Sequence, residues 1–166
     1  KIGYKVEQDI FQKVLSQKAE LFIERGNKPS FYVHRIPYNF VKCFNFIPYF
    51  WNEKDGEKKS EDYKPYFLFD GKKSIVLISI VNSNLFFWWW YLLYEGYHCG
   101  KHEIFSFPSG IKNLSSNNSR KLLSLSVKLL NDLKANSTRK KAIYQATGNV
   151  EYEEFYPKRS KPIIDE

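Results

Sequence analysis

Trp51–Lys64 holds the densest group of side chains able to recognise a polyanion. Trp51, Asn52, Lys54, Lys58, Lys59, Ser60, Tyr63 and Lys64 fall in one short stretch. Lysine neutralises phosphate or donates to guanine, asparagine pairs bidentately with adenine, and serine or tyrosine hydroxyls bond phosphate or base edges. The same stretch carries Glu53, Asp55, Glu57, Glu61 and Asp62. These acids repel phosphate unless they accept from cytosine amino groups or from neighbouring lysines. A solvated hairpin turned at Asp55-Gly56 accounts for them equally well. A second group, Tyr97, His98 and Lys101, lies in a turn ending at His102, and Arg120 and Lys121 open a third, strongly basic run.

Catalytic chemistry is thinly represented. No two prolines are adjacent, so the Asn/Asp-Pro-Pro-aromatic signature of amino-methylating enzymes is missing. The eight glycines are dispersed, which leaves no Gly-rich loop to cradle a nucleotide, and no Gly-x-Ser-x-Gly elbow occurs. Asp62-Tyr63-Lys64 and Asp132-Leu133-Lys134 match the minimal acid-x-Lys pattern of metal-dependent nucleases, which chance supplies readily in a Lys-rich chain. His98-Cys99 with His102 lacks the second half of a zinc site, and Cys43 would have to arrive from a distant strand. The sequence assigns no catalytic, cofactor-binding or metal residue.

The 166 residues suffice for one core, and 43% hydrophobic with 18% aromatic content argues against disorder. A net charge of +8 attracts phosphate, although Lys-rich surfaces also serve solubility alone. Two cysteines form no disulfide framework and no signal peptide is visible, so a reducing, cytoplasmic setting is expected. The chain opens at Lys1 without a Met and stops at Ile164-Asp165-Glu166; both ends read as cuts in a longer polypeptide.

The element that must position these groups is Lys72–Tyr94, read as one apolar helix interrupted by Asn82, Ser83 and Asn84. Its length would suit a membrane span of about twenty residues, but the polar centre argues instead for burial within protein. Asn82 and Ser83 are expected to hydrogen-bond an adjacent strand or loop. Before it, Val6, Ile10, Phe11, Val14 and Leu15 predict an amphipathic helix from Val6 to Glu24. Strands are predicted at Phe31–Arg35, Val41–Phe46, Tyr66–Phe69 and His102–Phe107. A second helix is predicted from Ser116 to Lys141, with Leu122, Leu125, Leu129, Leu130 and Leu133 as its apolar stripe. From Arg120 onward it carries seven cations, among them Lys128, Arg139, Lys140 and Lys141, against the single carboxylate of Asp132. The segment Gly148–Glu166, with two prolines, should be extended or irregular.

Three pieces together resemble a known family. The first is Phe46-Ile47-Pro48-Tyr49-Phe50-Trp51-Asn52, followed by Lys59-Ser60 and Tyr63-Lys64. The second is Asn82-Ser83-Asn84-Leu85-Phe86 with Trp88 and Tyr91, then Gly96-Tyr97-His98 and Phe105-Ser106-Phe107-Pro108. The third is Glu154-Phe155-Tyr156-Pro157-Lys158-Arg159-Ser160-Lys161-Pro162-Ile163-Ile164-Asp165-Glu166. From Phe31 onward the chain resembles the carboxyl-terminal target-recognition region of bacterial adenine-specific DNA methyltransferases of restriction-modification systems. That resemblance implies a segment that clamps double-stranded DNA and reads its target. An upstream catalytic domain of the same chain would bind S-adenosylmethionine and methylate a flipped adenine. No catalytic residue carries over, because the catalytic motifs are absent.

The expectation is therefore an α+β fold, with short, mostly antiparallel strands around a buried apolar helix and a long amphipathic helix towards the carboxyl end. Four segments are foreseen: an amino-terminal helix at 1–28, a recognition core at 29–114, a basic helical arm at 115–147 and a tail at 148–166. DNA contacts are expected from Trp51–Lys64 and Tyr97–His102 first, then from Arg120, Lys121 and the cations that follow. A nuclease fragment using Asp62, or a non-enzymatic module docking acidic proteins on its basic helix, are the competing readings.

Overall fold

Phe31 and Val33 are wholly buried while Tyr32 and His34 are half exposed, the two-residue alternation of a strand with one face on a core. In the computed structural model, which describes residues 2–17, 28–68 and 71–166, this strand is β1 (Phe31–His34). It lies between β2 (Cys43–Phe44) and β5 (Tyr63–Tyr66) in an antiparallel sheet, with Val33 opposite both Cys43 and Lys64. A second antiparallel sheet has the order β4 (Gly56–Glu57), β3 (Phe50–Asn52), β7 (Gly148–Glu154), β6 (Thr138–Tyr144). With helices packed beside these sheets, the architecture is α+β. Three of the four predicted strands are present but shifted: Phe31–Arg35 is β1, Val41–Phe46 reduces to β2, and Tyr66 closes β5, with position 69 of that prediction outside the described residues.

The apolar segment is two helices rather than one. α2 (Gly71–Val81) and α3 (Asn84–Leu93) meet at an angle of 70°. Ser83 takes an extended conformation and its hydroxyl accepts from the Phe86 N–H at 3.1 Å, so it caps a new helix. Asn82 turns the other way, into the first sheet. Its carbonyl accepts from the Cys43 N–H at 3.0 Å, and its amide donates to the Cys43 carbonyl at 2.8 Å and to Ile78 at 2.9 Å. The expected anchoring of a strand by Asn82 is what the structure contains.

Four further readings are corrected. His102–Phe107 is helical: in α4 (Lys101–Ser106) the Glu103 carboxylate accepts from the Gly100 N–H at 2.8 Å, which fixes the helix start. Ile104 and Phe107, both buried, follow helical rather than alternating spacing. The long helix α5 (Ser116–Ala135) stops before its last cations, where the Asn136 amide bonds the Asp132 carbonyl and carboxylate at 3.0 Å. Arg139, Lys140 and Lys141 consequently lie on strand β6. The segment after Gly148 begins as β7 and closes with a short helix, α6 (Lys161–Ile164). Gly148 itself has φ +69°, and a Cβ there would collide with the Glu53 carboxylate, so only glycine fits the β6–β7 turn. At the amino end α1 (Lys5–Leu15) is shorter than predicted; positions 18–24 of that prediction lie outside the described residues.

The core is aromatic. Phe31, Phe44, Tyr66, Phe86 and Trp90 are among its fully buried side chains, and α5 docks on α2 through the Ser126 hydroxyl, which donates to the Ile75 carbonyl at 2.7 Å. Cys43 and Cys99 are buried and unbonded. Burial pushes both thiols up, Cys99 to about 12 from a free value of 9.0. A thiol held neutral in the fold and ionised in the unfolded chain stabilises below the unfolded pKa and loses that stabilisation as pH rises. Thermal stability should therefore fall from about pH 9 towards pH 12. A thiol-reactive dye should label neither cysteine at neutral pH without denaturant; rapid labelling of folded protein would contradict this burial.

Candidate nucleic-acid interface

The β3–β4 hairpin is built by its own polar residues. The Asn52 carbonyl accepts from the Asp55 N–H at 2.6 Å and its amide donates to the Asp55 carboxylate at 3.0 Å, while Gly56 takes φ +75°. Asn52 is 1% exposed, so the side chain expected to read adenine is consumed by the turn. Tyr63 is likewise structural: its ring packs on His34 and Phe44, and burial raises its phenol. The Lys58 ammonium sits 2.8 Å from Asp55 and, with the Asn52 amide, holds that carboxyl below the usual range. Lys54, Lys59 and Lys64 remain exposed, Ser60 and Trp51 half exposed.

The Tyr97–His102 turn is brought to this loop by Arg35, which sequence reasoning missed. The Arg35 N–H donates to the Asp62 carbonyl at 2.9 Å, and its guanidinium pairs with the Asp62 carboxylate at 2.9 Å. In turn the Arg35 carbonyl accepts from the Cys99 N–H at 2.8 Å. The Trp90 indole fixes the other end by donating to the His98 carbonyl at 2.8 Å. His98 faces Glu95 at 3.2 Å, Tyr97 packs edge-on to His98, and the Lys101 ammonium lies 6.0 Å over the Tyr66 ring. No local pattern could have exposed Arg35, since both partners are remote in sequence.

The cations of β6 share a sheet with the hairpin. Trp51, Glu151 and Lys141 stand in register across β3, β7 and β6, hence on one face. Trp51 and Lys141 border an open recess of about 500 Å³ with Ile143, which is 81% exposed. Lys141 pairs with Glu151 at 2.7 Å, Lys140 approaches Glu154 at 3.9 Å, and the Arg139 guanidinium stacks 3.5 Å over Tyr49. On the opposite face an open cleft of about 480 Å³ is lined by His34, Tyr38, Lys42, Ser60, Tyr144 and Tyr152. Burial and the Lys42 charge lower the His34 pKa, which favours a neutral ring at neutral pH.

Arg120 and Lys121 belong to the other end of α5 from β6. They sit near the start of α5, and at 1.5 Å per residue about 22 Å of helix axis separates Arg120 from Ala135, where the chain turns into β6. Lys128 is engaged by Glu166 at 2.7 Å. The two acid-x-Lys matches also sit apart, Asp62 paired with Arg35 and Asp132 bonded to Asn136. Among the described residues no three His, Cys, Asp or Glu side chains gather as a metal site. Among the same residues no single helix is long and apolar enough to cross a membrane; α2 and α3 pass that test only as a bent pair.

No protein-family model, curated protein or solved structure matches this chain.

Proposed function

We propose that this chain is a sequence-specific duplex-DNA recognition domain of a restriction-modification adenine DNA methyltransferase. Methyl transfer, with S-adenosylmethionine, belongs to a catalytic domain elsewhere in the same polypeptide. The observation that carries the reading is the Arg35 junction, which sets the Trp51–Lys64 loop beside the Tyr97–Lys101 turn. The resemblance of both segments to target-recognition regions supports it, as does the net charge of +8. Lys54, Lys59, Lys64 and Lys101 supply phosphate contacts; Ser60, Tyr97 and His98 are placed for base edges.

Salt dependence tests the loop directly. Lys59→Ala and Lys64→Ala should each flatten the slope of log K against log salt by about 0.9. Lys58→Ala should flatten it less, because Asp55 already neutralises that ammonium. Unchanged slopes for Lys59→Ala and Lys64→Ala remove the loop from the interface.

A further inference from the structure

The Tyr156–Lys161 turn, which the proposed reading leaves without a task, walls an open groove of about 580 Å³ together with the segment Tyr38–Lys42. The turn is pinned. Ser160 is wholly buried, the Ser160 N–H donates to Pro157 at 2.9 Å, and the Arg159 N–H donates to Tyr156 at 2.8 Å. Its cations are thereby held in place: Lys158 and Lys161 line the groove opposite Lys42, while Arg159 stacks 4.6 Å over Tyr156.

Lys42 is the unusual member. It is partly buried and lines both this groove and the adjoining aromatic cleft. Its ammonium is drawn into no hydrogen bond or ion pair among the described residues, and its one ring neighbour is Tyr38, 5.9 Å away. Of the acids nearby, Glu154 acts on the Lys42 charge but is shared, and Asp165 is engaged elsewhere. Glu154 accepts from the Tyr156 hydroxyl at 2.8 Å and faces Lys140, and Asp165 holds Lys161 and Asn84. A half-desolvated cation whose one acting carboxylate, Glu154, is shared with Lys140 and the Tyr156 hydroxyl is under-compensated, and an incoming anion offsets that cost. Lys158, without a side-chain partner among the described residues, adds a second ammonium to the groove lining, and Asn39 borders the groove as a neutral donor.

We infer that this groove is a phosphate-binding clamp: Lys42 and Lys158 grip one backbone phosphodiester of the duplex, beside the cleft that Lys42 shares with Ser60 of the recognition loop. The assignment rests on the duplex-DNA reading. It adds a contact that fixes register and contributes no sequence preference.

The test is duplex binding by the whole chain at several salt concentrations, comparing wild type with Lys42→Gln/Lys158→Gln and Lys42→Arg. The double variant should flatten the salt slope by about 0.9, the counter-ion released from one phosphate. Its order of preference among duplex sequences should stay unchanged, and Lys42→Arg should keep the wild-type slope. As a check that needs no variant, acetylation of Lys42 in wild-type protein should slow when a short duplex is added. An unchanged slope with unchanged acetylation, in a protein that still binds duplex, overturns the clamp and leaves the recognition reading standing. Wild-type protein that binds no duplex overturns both.

Discussion

Replacing Asn82 by Ala should lower stability by about 3 kcal/mol or more, because two backbone groups of Cys43 lose their partners inside the core. Asn82 is 4% exposed and Cys43 is wholly buried, so water cannot replace the lost bonds. Asn82→Asp should be at least as damaging: it keeps an acceptor for the Cys43 N–H but loses the donor shared by Cys43 and Ile78, and it buries a carboxyl. Urea unfolding reads both. The midpoint should fall with an unchanged slope, whereas a wild-type midpoint for Asn82→Ala would mean that β2 is held by something else.

Trp90→Ala should cost about 3 to 5 kcal/mol through the cavity it leaves in the aromatic core. Trp90 is 1% exposed and packs on Phe87. The more telling variant is Trp90→Phe, which retains most of the packing but leaves the His98 carbonyl without the indole donor. It should destabilise by about 1 kcal/mol. If Tyr97 and His98 meet DNA, it should also weaken duplex binding more than that small loss of stability explains, because the turn loses its fixed position. Wild-type affinity from Trp90→Phe would separate the turn from the interface.

The sequence revealed most where chemistry is local. Asp55-Gly56 marked the hairpin, the Asn82 amide inside an apolar run announced a strand anchor, and α5 begins at Ser116 as its leucine stripe predicted. Local signals also misled. Ser83 stands between two apolar segments, so its capping role was hidden by continuity of hydrophobicity, and the sharp bend was unforeseen. His102–Phe107 offered an aromatic-rich run before Pro108, and the decisive Gly100–Glu103 bond counted for little against it. Arg139–Lys141 continued the basic run of α5, and only pairing with β7 makes them a strand. Within the candidate interface, Asn52 and Tyr63 had suitable functional groups, but their burial follows from packing that no spacing encodes. Arg35 and Lys42 were invisible for the converse reason: each matters through partners, or a lack of them, set by the tertiary fold.

The central proposal is that this chain reads duplex sequence. Selection from a pool of randomised duplexes, with sequencing of the retained fraction, measures that directly. The account predicts enrichment of one recurrent motif, bound more tightly than its scrambled counterpart by at least tenfold, or about 1.4 kcal/mol. Retention of duplexes without any enriched motif, together with equal affinity for heparin, would contradict it and leave only a non-specific basic surface.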